Sequence, residues 1–177
     1  MVSPRFVEAL NAQIGNEFSA HHQYVACAVH FDDLTMPQMA GFFYRQALEE
    51  RDHAMMMVQY LLDTDSQVDI PGVEAPVCRF PDVVAPVQLA LDQEKRVTEQ
   101  INGLLRIARE EFDFASEQFM QWFIKEQVEE VATMTDLLAI VTRNAGDLED
   151  IEGYVEREAA AEGADPTAPR AAGAAEG

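Results

Sequence analysis

The sequence predicts an all-α protein, a four-helix bundle with one long crossover and a short fifth helix near the C-terminus. Apolar residues recur at helical spacing in four long segments of the 177-residue chain, as expected of helices that each bury one face. Residues typical of helix starts precede these segments, and one long interval is rich in proline without helical periodicity. These patterns favour a bundle in which the second and third helices run parallel.

The first two helices begin at residues that commonly cap helices. Ser3, which precedes a proline, predicts the N-cap of a first helix that extends to about Asp32. Thr35 and Gln38 have the spacing of a capping box, in which each side chain bonds the backbone of the other residue. We therefore expect the second helix to begin at Thr35 and to continue to about Thr64.

A long connection follows over residues 65–81, which include three prolines and one glycine. At about 3.3 Å per residue, roughly 17 residues can span about 56 Å. A helix of about 28 residues is only about 42 Å long. The connection can therefore return the chain to the other end of the bundle.

Aspartates precede the remaining helices. Asp82 predicts the start of a third helix that reaches about Glu111, and Asp113 predicts the start of a fourth that ends at residues 144–146. A short acidic fifth helix is predicted over residues 147–159.

The C-terminal segment differs in composition from the bundle. From residue 160 onward it holds no aromatic or large aliphatic side chain, only Ala, Gly, Pro, Thr and charged residues. Such a segment cannot bury enough apolar surface to fold. We predict one helix-bundle domain over residues 1–159 and a disordered acidic tail rich in Ala, Gly and Pro over residues 160–177.

Composition excludes several function classes. The chain has 32 acidic and 12 basic residues and a formal net charge of −20, which disfavours nucleic acids and anionic membranes as partners and favours cations. No apolar stretch approaches the length of a membrane span. With only two cysteines and no apolar signal segment after Met1, a cytoplasmic location is expected.

Polar side chains interrupt the apolar stripe of each bundle helix. They lie near the helix midpoints, with offsets of about three residues, or roughly 4.5 Å along a helix axis. Because all four helices bring such groups to one depth, we expect the side chains to meet inside the bundle. The residues are Glu17 in the first helix, Glu50 and His53 in the second, Glu94 in the third, and Gln127 and Glu130 in the fourth.

This cluster predicts a metal centre. Unpaired buried charges cost several kcal/mol each, and no Lys or Arg lies at the same level of the stripes. Four carboxylates and one imidazole suit iron, manganese or zinc, and Glu50 can bridge two ions. The alternatives are a hydrated hydrogen-bonded network without metal, or a helical phase that is wrong by one residue.

Several stretches extend the pattern beyond the cluster. They are Asn16-Glu17-Phe18 with Tyr24, Glu49-Glu50-Arg51-Asp52-His53-Ala54, Leu91-Asp92-Gln93-Glu94, and Gln121-Trp122-Phe123 with Glu126-Gln127-Val128-Glu129-Glu130. In this combination the chain resembles the ferritin family, and within it the haem-free bacterial ferritins. The resemblance covers Ser3 to about Ala159.

The resemblance implies iron as the metal and a ferroxidase as the activity. In such a protein each of 24 identical subunits oxidises Fe²⁺ with O₂ at its own dinuclear site, and ferric mineral accumulates inside the hollow shell. By motif position, Glu17, Glu50 and His53 would bind the first iron ion. Glu50, Glu94 and Glu130 would bind the second.

The resemblance also assigns roles beside this pair. Glu49, Glu126 and Glu129 match a nearby third iron site of bacterial ferritins. Gln127 is expected to be a neutral weak ligand or neighbour that leaves a coordination position open. Tyr24 is expected to hydrogen-bond a ligand and to donate an electron.

Two other functions are weighed against the storage ferritin. A ferritin-like di-iron oxygenase would repeat the Glu-x-x-His motif on the fourth helix, but here Gln127 and Glu130 occupy those positions. A catalytically silent shell subunit would lack carboxylates of the cluster, and none is missing. Bacterioferritins carry a haem-binding Met two residues before the second-helix histidine, where this chain has Arg51, so the resemblance implies no haem.

Glu117 matches an acidic position of the threefold channel in the family. Its companion position holds Met120, so a conventional acidic funnel is not expected there. The simpler interpretation of Glu117 is an exposed helix residue.

Overall fold

A computed structural model of the chain describes residues 2–159 and 165–174. Its described residues form five α-helices and no strand, which confirms the predicted fold class. None of these helices has both the length and the hydropathy needed to cross a membrane. The helices are α1 Pro4–Asp33, α2 Pro37–Asp63, α3 Val84–Glu110, α4 Phe114–Arg143 and α5 Leu148–Ala159.

The bundle consists of two helix pairs. α1 packs along α2 and α3 along α4, each pair being joined by a connection of three residues, and α1 also contacts α3. α5 lies mainly against α2 and makes a smaller contact with α4. The short connections make each pair antiparallel.

The crossover between α2 and α3 runs along α1. The Asn11 side-chain amide donates to the Gln67 carbonyl at 2.9 Å, and further along α1 the Gln23 amide donates to the Val77 carbonyl at 2.9 Å. Nearer the end of α1, His30 Nε2 lies 3.2 Å from the carbonyl oxygen two residues before α3. The crossover therefore returns the chain to the end of the bundle where α2 begins, and α2 and α3 run parallel as predicted.

Gly15 allows the crossover to lie directly against α1. A Cβ atom at this position would stand 2.6 Å from Cγ of Pro71, much closer than van der Waals contact allows. Glycine is therefore required here for close approach, although it weakens a helix interior.

Two of the predicted N-caps, Ser3 and Asp113, are confirmed, whereas Asp82 lies one residue before the N-cap of α3 and still bonds the start of that helix. Ser3 accepts a hydrogen bond from the Phe6 N–H at 3.1 Å, and Asp113 accepts one from the Ser116 N–H at 3.1 Å. Asp113 also accepts from the Ser3 N–H at 3.0 Å, which ties the start of α1 to the start of α4. Asp82 accepts from the first two N–H groups of α3 at 2.9 Å each.

The predicted capping box of Thr35 and Gln38 is wrong. Thr35 has a φ of 59° and lies outside the helix, and the N-cap of α2 is Met36, whose side chain makes no capping bond. Glu152 of α5 supplies the cap instead, since its carboxylate accepts from the N–H groups of Gln38 and Met39 at 2.8 and 2.9 Å. The start of α2 is therefore stabilised by a residue distant in sequence.

The apolar core is divided into two clusters by the level that holds the predicted metal ligands. Along every bundle helix the ligand positions fall between the residues of one cluster and those of the other. The cluster nearer the α1–α2 connection includes Tyr24, Phe31, Phe43, Leu91, Leu137 and Ile151. The opposite cluster includes Phe6, Leu10, Leu61, Ile101, Met120 and Phe123.

Residues 165–174, which belong to the segment whose composition predicts disorder, make contacts with the bundle. The Asp165 carboxylate accepts from Trp122 Nε1 at 3.2 Å, and the Ala172 N–H donates to the Met55 carbonyl at 3.0 Å. Residues 160–164 and 175–177, also part of the predicted tail, lie outside the described residues. The division of the chain at residue 160 stays a prediction.

Candidate metal centre

Glu17, Glu50 and His53 form the centre of the site. One potential ligand atom from each side chain lies within 4.8 Å of those of the other two. Their exposed fractions are 1%, 1% and 4%, respectively. α1 supplies the first residue and α2 the other two, whose spacing of three places them on one helix face.

Three carboxylate oxygens of this group are buried without a hydrogen-bond partner. They are Oε2 of Glu17 and both oxygens of Glu50. The other Glu17 oxygen accepts from Nε2 of Gln13 at 2.8 Å, which fixes the carboxylate and leaves Oε2 free. Buried polar atoms are rarely left unpaired, and a hard cation would satisfy all three oxygens.

Glu94 on α3 is enclosed by hydrogen-bond donors. The Tyr24 hydroxyl donates to Oε1 of Glu94, and Gln127 Nε2 lies 3.4 Å from Oε2. The Thr98 hydroxyl donates a hydrogen bond to the side-chain carbonyl oxygen of Gln127 at 2.9 Å. In this arrangement Gln127 presents its NH₂ group to Glu94. Its role as a weak metal ligand stays a prediction.

The pKa values of the buried carboxyls are raised. Burial is the largest cause for Glu50, Glu94 and Glu130, and neighbouring carboxylates add to it; the pKa of Glu94 rises to about 7. For Glu50 and Glu130 the largest neighbouring contribution comes from Glu94. These groups therefore share one electrostatic environment in which bound cations are favoured over several unpaired negative charges.

Two aromatic rings pack against the imidazole of His53. The rings of Trp122 and Phe123 pack edge-on against it at centroid distances of 5.6 and 5.8 Å. Burial lowers the pKa of His53. A lowered pKa favours the neutral imidazole, which is the form that binds metals.

The structure buries the other two predicted carboxylate ligands. Glu94 and Glu130 are buried at the same level, with exposed fractions of 0% and 6%. Among the described residues, the tight three-ligand geometry is found only for Glu17, Glu50 and His53. The assignment of a second ion position to Glu94 and Glu130 stays a prediction.

The predicted third group lies at the surface. Glu49 and Glu129 are exposed, and Glu126 is partly buried. Burial is the largest cause that raises the pKa of Glu126, followed by the charges of Glu129 and Asp165. Lys125 Nζ lies 3.8 Å from Glu129 and 3.2 Å from Asp165, so it competes with a cation for these carboxylates.

Sequence reasoning missed three side chains that hold the ligands. They are Gln13, which fixes Glu17, Thr98, which orients Gln127, and Gln46, which bonds Glu49. Gln13 and Gln46 lie four and three residues before the carboxylates that they bond. Thr98 lies four residues after Glu94 on the same helix. A polar residue one helical turn from a ligand, within an apolar stripe, is the signal that could have found them.

Glu117 is not available as a free acidic group. Arg109 Nε lies 2.8 Å from its carboxylate, and Met120 is fully buried. The structure gives no support for an acidic funnel at this position.

Comparison with known proteins agrees with this geometry. A family model described as a ferritin-like domain matches residues 7–144. The chain is 57% identical to Ferritin BfrB of Mycolicibacterium smegmatis, over 97% of this chain and 94% of the relative. It is 35% identical to the bacterial non-heme ferritin of Staphylococcus aureus, over 83% of this chain and 89% of the relative.

A solved structure shares the fold. It is an open pore ferritin from the archaeon Archaeoglobus fulgidus, with a TM-score of 0.85 and 29% identity, over 89% of this chain and 97% of that one. The matches cover the helices that carry the buried carboxylates and the histidine. The chain therefore belongs to the ferritin family of iron-storage proteins.

Proposed function

We propose that this ferritin is a ferroxidase that oxidises Fe²⁺ to Fe³⁺ with O₂ at the buried centre and delivers the product to a mineral store. The observation that carries the proposal is the group of Glu17, Glu50 and His53, with its three buried and unpartnered carboxylate oxygens. Oxygen and imidazole ligands suit Fe²⁺. Iron is here both the substrate and the cargo.

The ligands divide between two ions. Glu17, Glu50 and His53 bind the first, while Glu50, Glu94 and Glu130 bind the second. Glu50 suits the bridging position because neither of its buried oxygens has a hydrogen-bond partner. Carboxylates favour the product, since Fe³⁺ carries more charge than Fe²⁺ and is the harder ion.

The reaction uses two iron ions because reduction of O₂ to hydrogen peroxide takes two electrons and each Fe²⁺ supplies only one, while transfer of a single electron to O₂ is unfavourable. Each Fe²⁺ gives one electron to O₂, which takes up two protons and leaves as hydrogen peroxide. The two Fe³⁺ ions then hydrolyse, release protons and enter the mineral. Tyr24 keeps the Glu94 carboxylate in place through the hydrogen bond that its hydroxyl donates.

Three further features belong to the proposed function: the route by which iron leaves the centre, the oligomeric state and the location in the cell. Glu49, Glu126 and Glu129 receive iron after it leaves the buried pair. The protein forms a shell of 24 identical subunits in the cytoplasm and binds no haem. The relatives' names support the ferritin shell, and exposed apolar side chains such as Phe112, 78% exposed, favour contacts between subunits.

Mixing the protein with Fe²⁺ in air tests the activity. We expect rapid oxidation, which is measured by the increase in absorbance of the ferric product. The rate should fall by at least about 100-fold when Glu50 and His53 are both replaced by alanine, since the variant loses the bridging carboxylate and the imidazole ligand. The matched control is Glu8→Ala, an exposed carboxylate on α1, which should retain the wild-type rate. An unchanged rate in the double variant would contradict the assignment of the centre.

A further inference from the structure

Gln46 stands between the buried centre and the surface carboxylates. It lies on α2, one helical turn before Glu50 and three residues before Glu49. Its side chain is only 6% exposed, whereas Glu49 is exposed. In the proposed function, iron leaves the buried centre for the surface carboxylates. The buried amide of Gln46 lies beside the start of this route.

The Gln46 amide nitrogen bonds one carboxylate, and the Gln46 side chain influences a second. Nε2 donates a hydrogen bond to Oε2 of Glu49. A side-chain hydrogen bond from Gln46 also lowers the pKa of Glu130, partly offsetting the effect of burial. An amide NH₂ group has two donors, so one side chain can link Glu130, a proposed ligand of the second ion, to Glu49 in the third group.

The Gln46 amide oxygen is a different kind of group. Oε1 is buried and has no hydrogen-bond partner. The opposite amide orientation would place this oxygen against the Glu49 carboxylate, so the hydrogen bond fixes the assignment. A neutral carbonyl oxygen is a hard donor that binds iron more weakly than a carboxylate does, and this property suits a position that an ion passes through.

A space-filling role explains these contacts less well. Side chains that only fill a core are apolar in most proteins, because a buried amide must satisfy both its donors and its acceptor. Gln46 meets this requirement at its nitrogen and not at its oxygen. The cost of the unpaired oxygen is offset if a cation contacts it during transfer.

We propose that Gln46 is a positioning residue that holds Glu49 through its amide nitrogen, offers its unpaired amide oxygen beside the buried centre, and thereby controls the passage of iron from the buried pair to the surface group. The inference rests on the proposed function, in which iron is oxidised at the centre and then leaves it. It assigns to Gln46 the clearing of the centre between turnovers and no part in the oxidation itself.

The test separates the first turnover from the second. Metal-free protein receives two Fe²⁺ per subunit in air, and after a fixed interval it receives two more, with both oxidations followed by rapid-mixing absorbance. In Gln46→Leu we expect the first phase to stay within about twofold of wild type and the second to be at least about tenfold slower, the size of effect seen when residues that support metal ligands are replaced. The matched control is Gln59→Leu on the same helix, whose amide bonds Asp63 at 2.6 Å, and both of its phases should be normal.

Zn²⁺ calorimetry gives a second measurement that does not depend on oxidation. Gln46→Leu should keep the tight binding of the buried positions and lose about tenfold in affinity at the weaker surface position. A second Fe²⁺ phase as fast as in wild type, or a first phase slowed as much as the second, would overturn the inference while the proposed function stands. Absence of Fe²⁺ oxidation in the wild-type protein would overturn the proposed function, and the inference with it.

Discussion

The carboxyl groups of the centre are buried close together without a positive charge beside them among the described residues, and a bound cation would stabilise their ionised forms. Glu94 shows this most clearly, because it is fully buried and accepts from Tyr24 while neighbouring carboxylates repel it. Donors such as Tyr24, Gln13 and Thr98 fix the positions of the ligand set without neutralising its charge. At the scale of single residues, hydrogen bonds within the protein therefore help to fix the positions of the ligands.

The raised pKa of Glu94 leads to a prediction about metal-free protein. Its carboxyl titrates at about 7 in the folded chain, against 4.5 as the ordinary value, so the unfolded state ionises first as the pH rises. The folded state is therefore favoured by this group at low pH, and the advantage is lost as the pH rises through 7. We expect the chelated wild-type protein to lose about 1–3 kcal/mol more free energy of unfolding between pH 5 and pH 8 than Glu94→Gln does.

Urea denaturation at equal protein concentration measures this difference. Glu99→Gln, an exposed change on the same helix, is the control and should follow the wild-type pH dependence. Equal losses in wild type and Glu94→Gln would mean that Glu94 does not carry the shifted titration.

At the scale of elements, the helices depend on partners distant in sequence. α2 begins on a carboxylate of α5, and the crossover is fastened to α1 by side chains of α1. Neither arrangement follows from the local sequence of the element that it stabilises. The position of α5 is therefore coupled to the start of the helix that carries Glu50 and His53.

Removing the cap that α5 provides should destabilise α2. We expect Glu152→Ala to lower the free energy of unfolding by about 0.5–2 kcal/mol, the usual cost of losing an N-cap. Glu156→Ala, an exposed change on the same helix, should be nearly neutral. Circular dichroism during urea denaturation measures both variants, and equal effects would show that the capping bonds contribute little.

The close approach of the crossover to α1 gives a second prediction at this scale. Gly15→Ala places a methyl group where only 2.6 Å separates it from Cγ of Pro71, so we expect a loss of about 1–3 kcal/mol from overpacking. The control is Gly103→Ala in α3, where a Cβ would meet nothing within 4 Å. It should gain about 0.5–1 kcal/mol from helix propensity. Thermal unfolding of the two variants should therefore shift in opposite directions.

Much of the fold could be predicted because it depends on local pattern. Helical periodicity placed Glu17, Glu50 and His53 on inward faces at one depth, and the structure brings these three together. The Thr35 capping box failed because a competing acceptor, Glu152, lies 114 positions away from Gln38. Sequence distance hides such a contact.

The rest of the site could not be predicted for a related reason. The roles of Gln13, Gln46 and Thr98 depend on side-chain orientation, which is fixed by packing between helices. The contact of Asp165 with Trp122 joins residues 43 positions apart, in a segment whose composition predicts disorder.

At the scale of the whole molecule, the net charge favours the binding of cations, and exposed apolar side chains favour assembly into an oligomer. The net charge of −20 attracts Fe²⁺. Apolar side chains at the α3–α4 turn, Phe112 and Phe114, are 78% and 71% exposed in the single chain. Contacts between subunits would remove them from water.

The assembly itself can be measured. We expect the protein to elute far above its chain mass of 19.8 kDa and to appear by electron microscopy as hollow particles that gain a dense core after loading with Fe²⁺ in air. Phe112→Glu should weaken the particle by placing charge in a buried contact. A small particle without a core would favour the di-iron oxygenase instead.

The division of the apolar core by the metal centre has a mechanical consequence. The two apolar clusters lie on either side of a layer of buried carboxyl groups. Iron bound at that layer would link side chains of all four bundle helices at mid-height. We therefore expect metal binding to make the middle of each subunit more rigid, which slower amide hydrogen exchange of the helix segments at this level would measure.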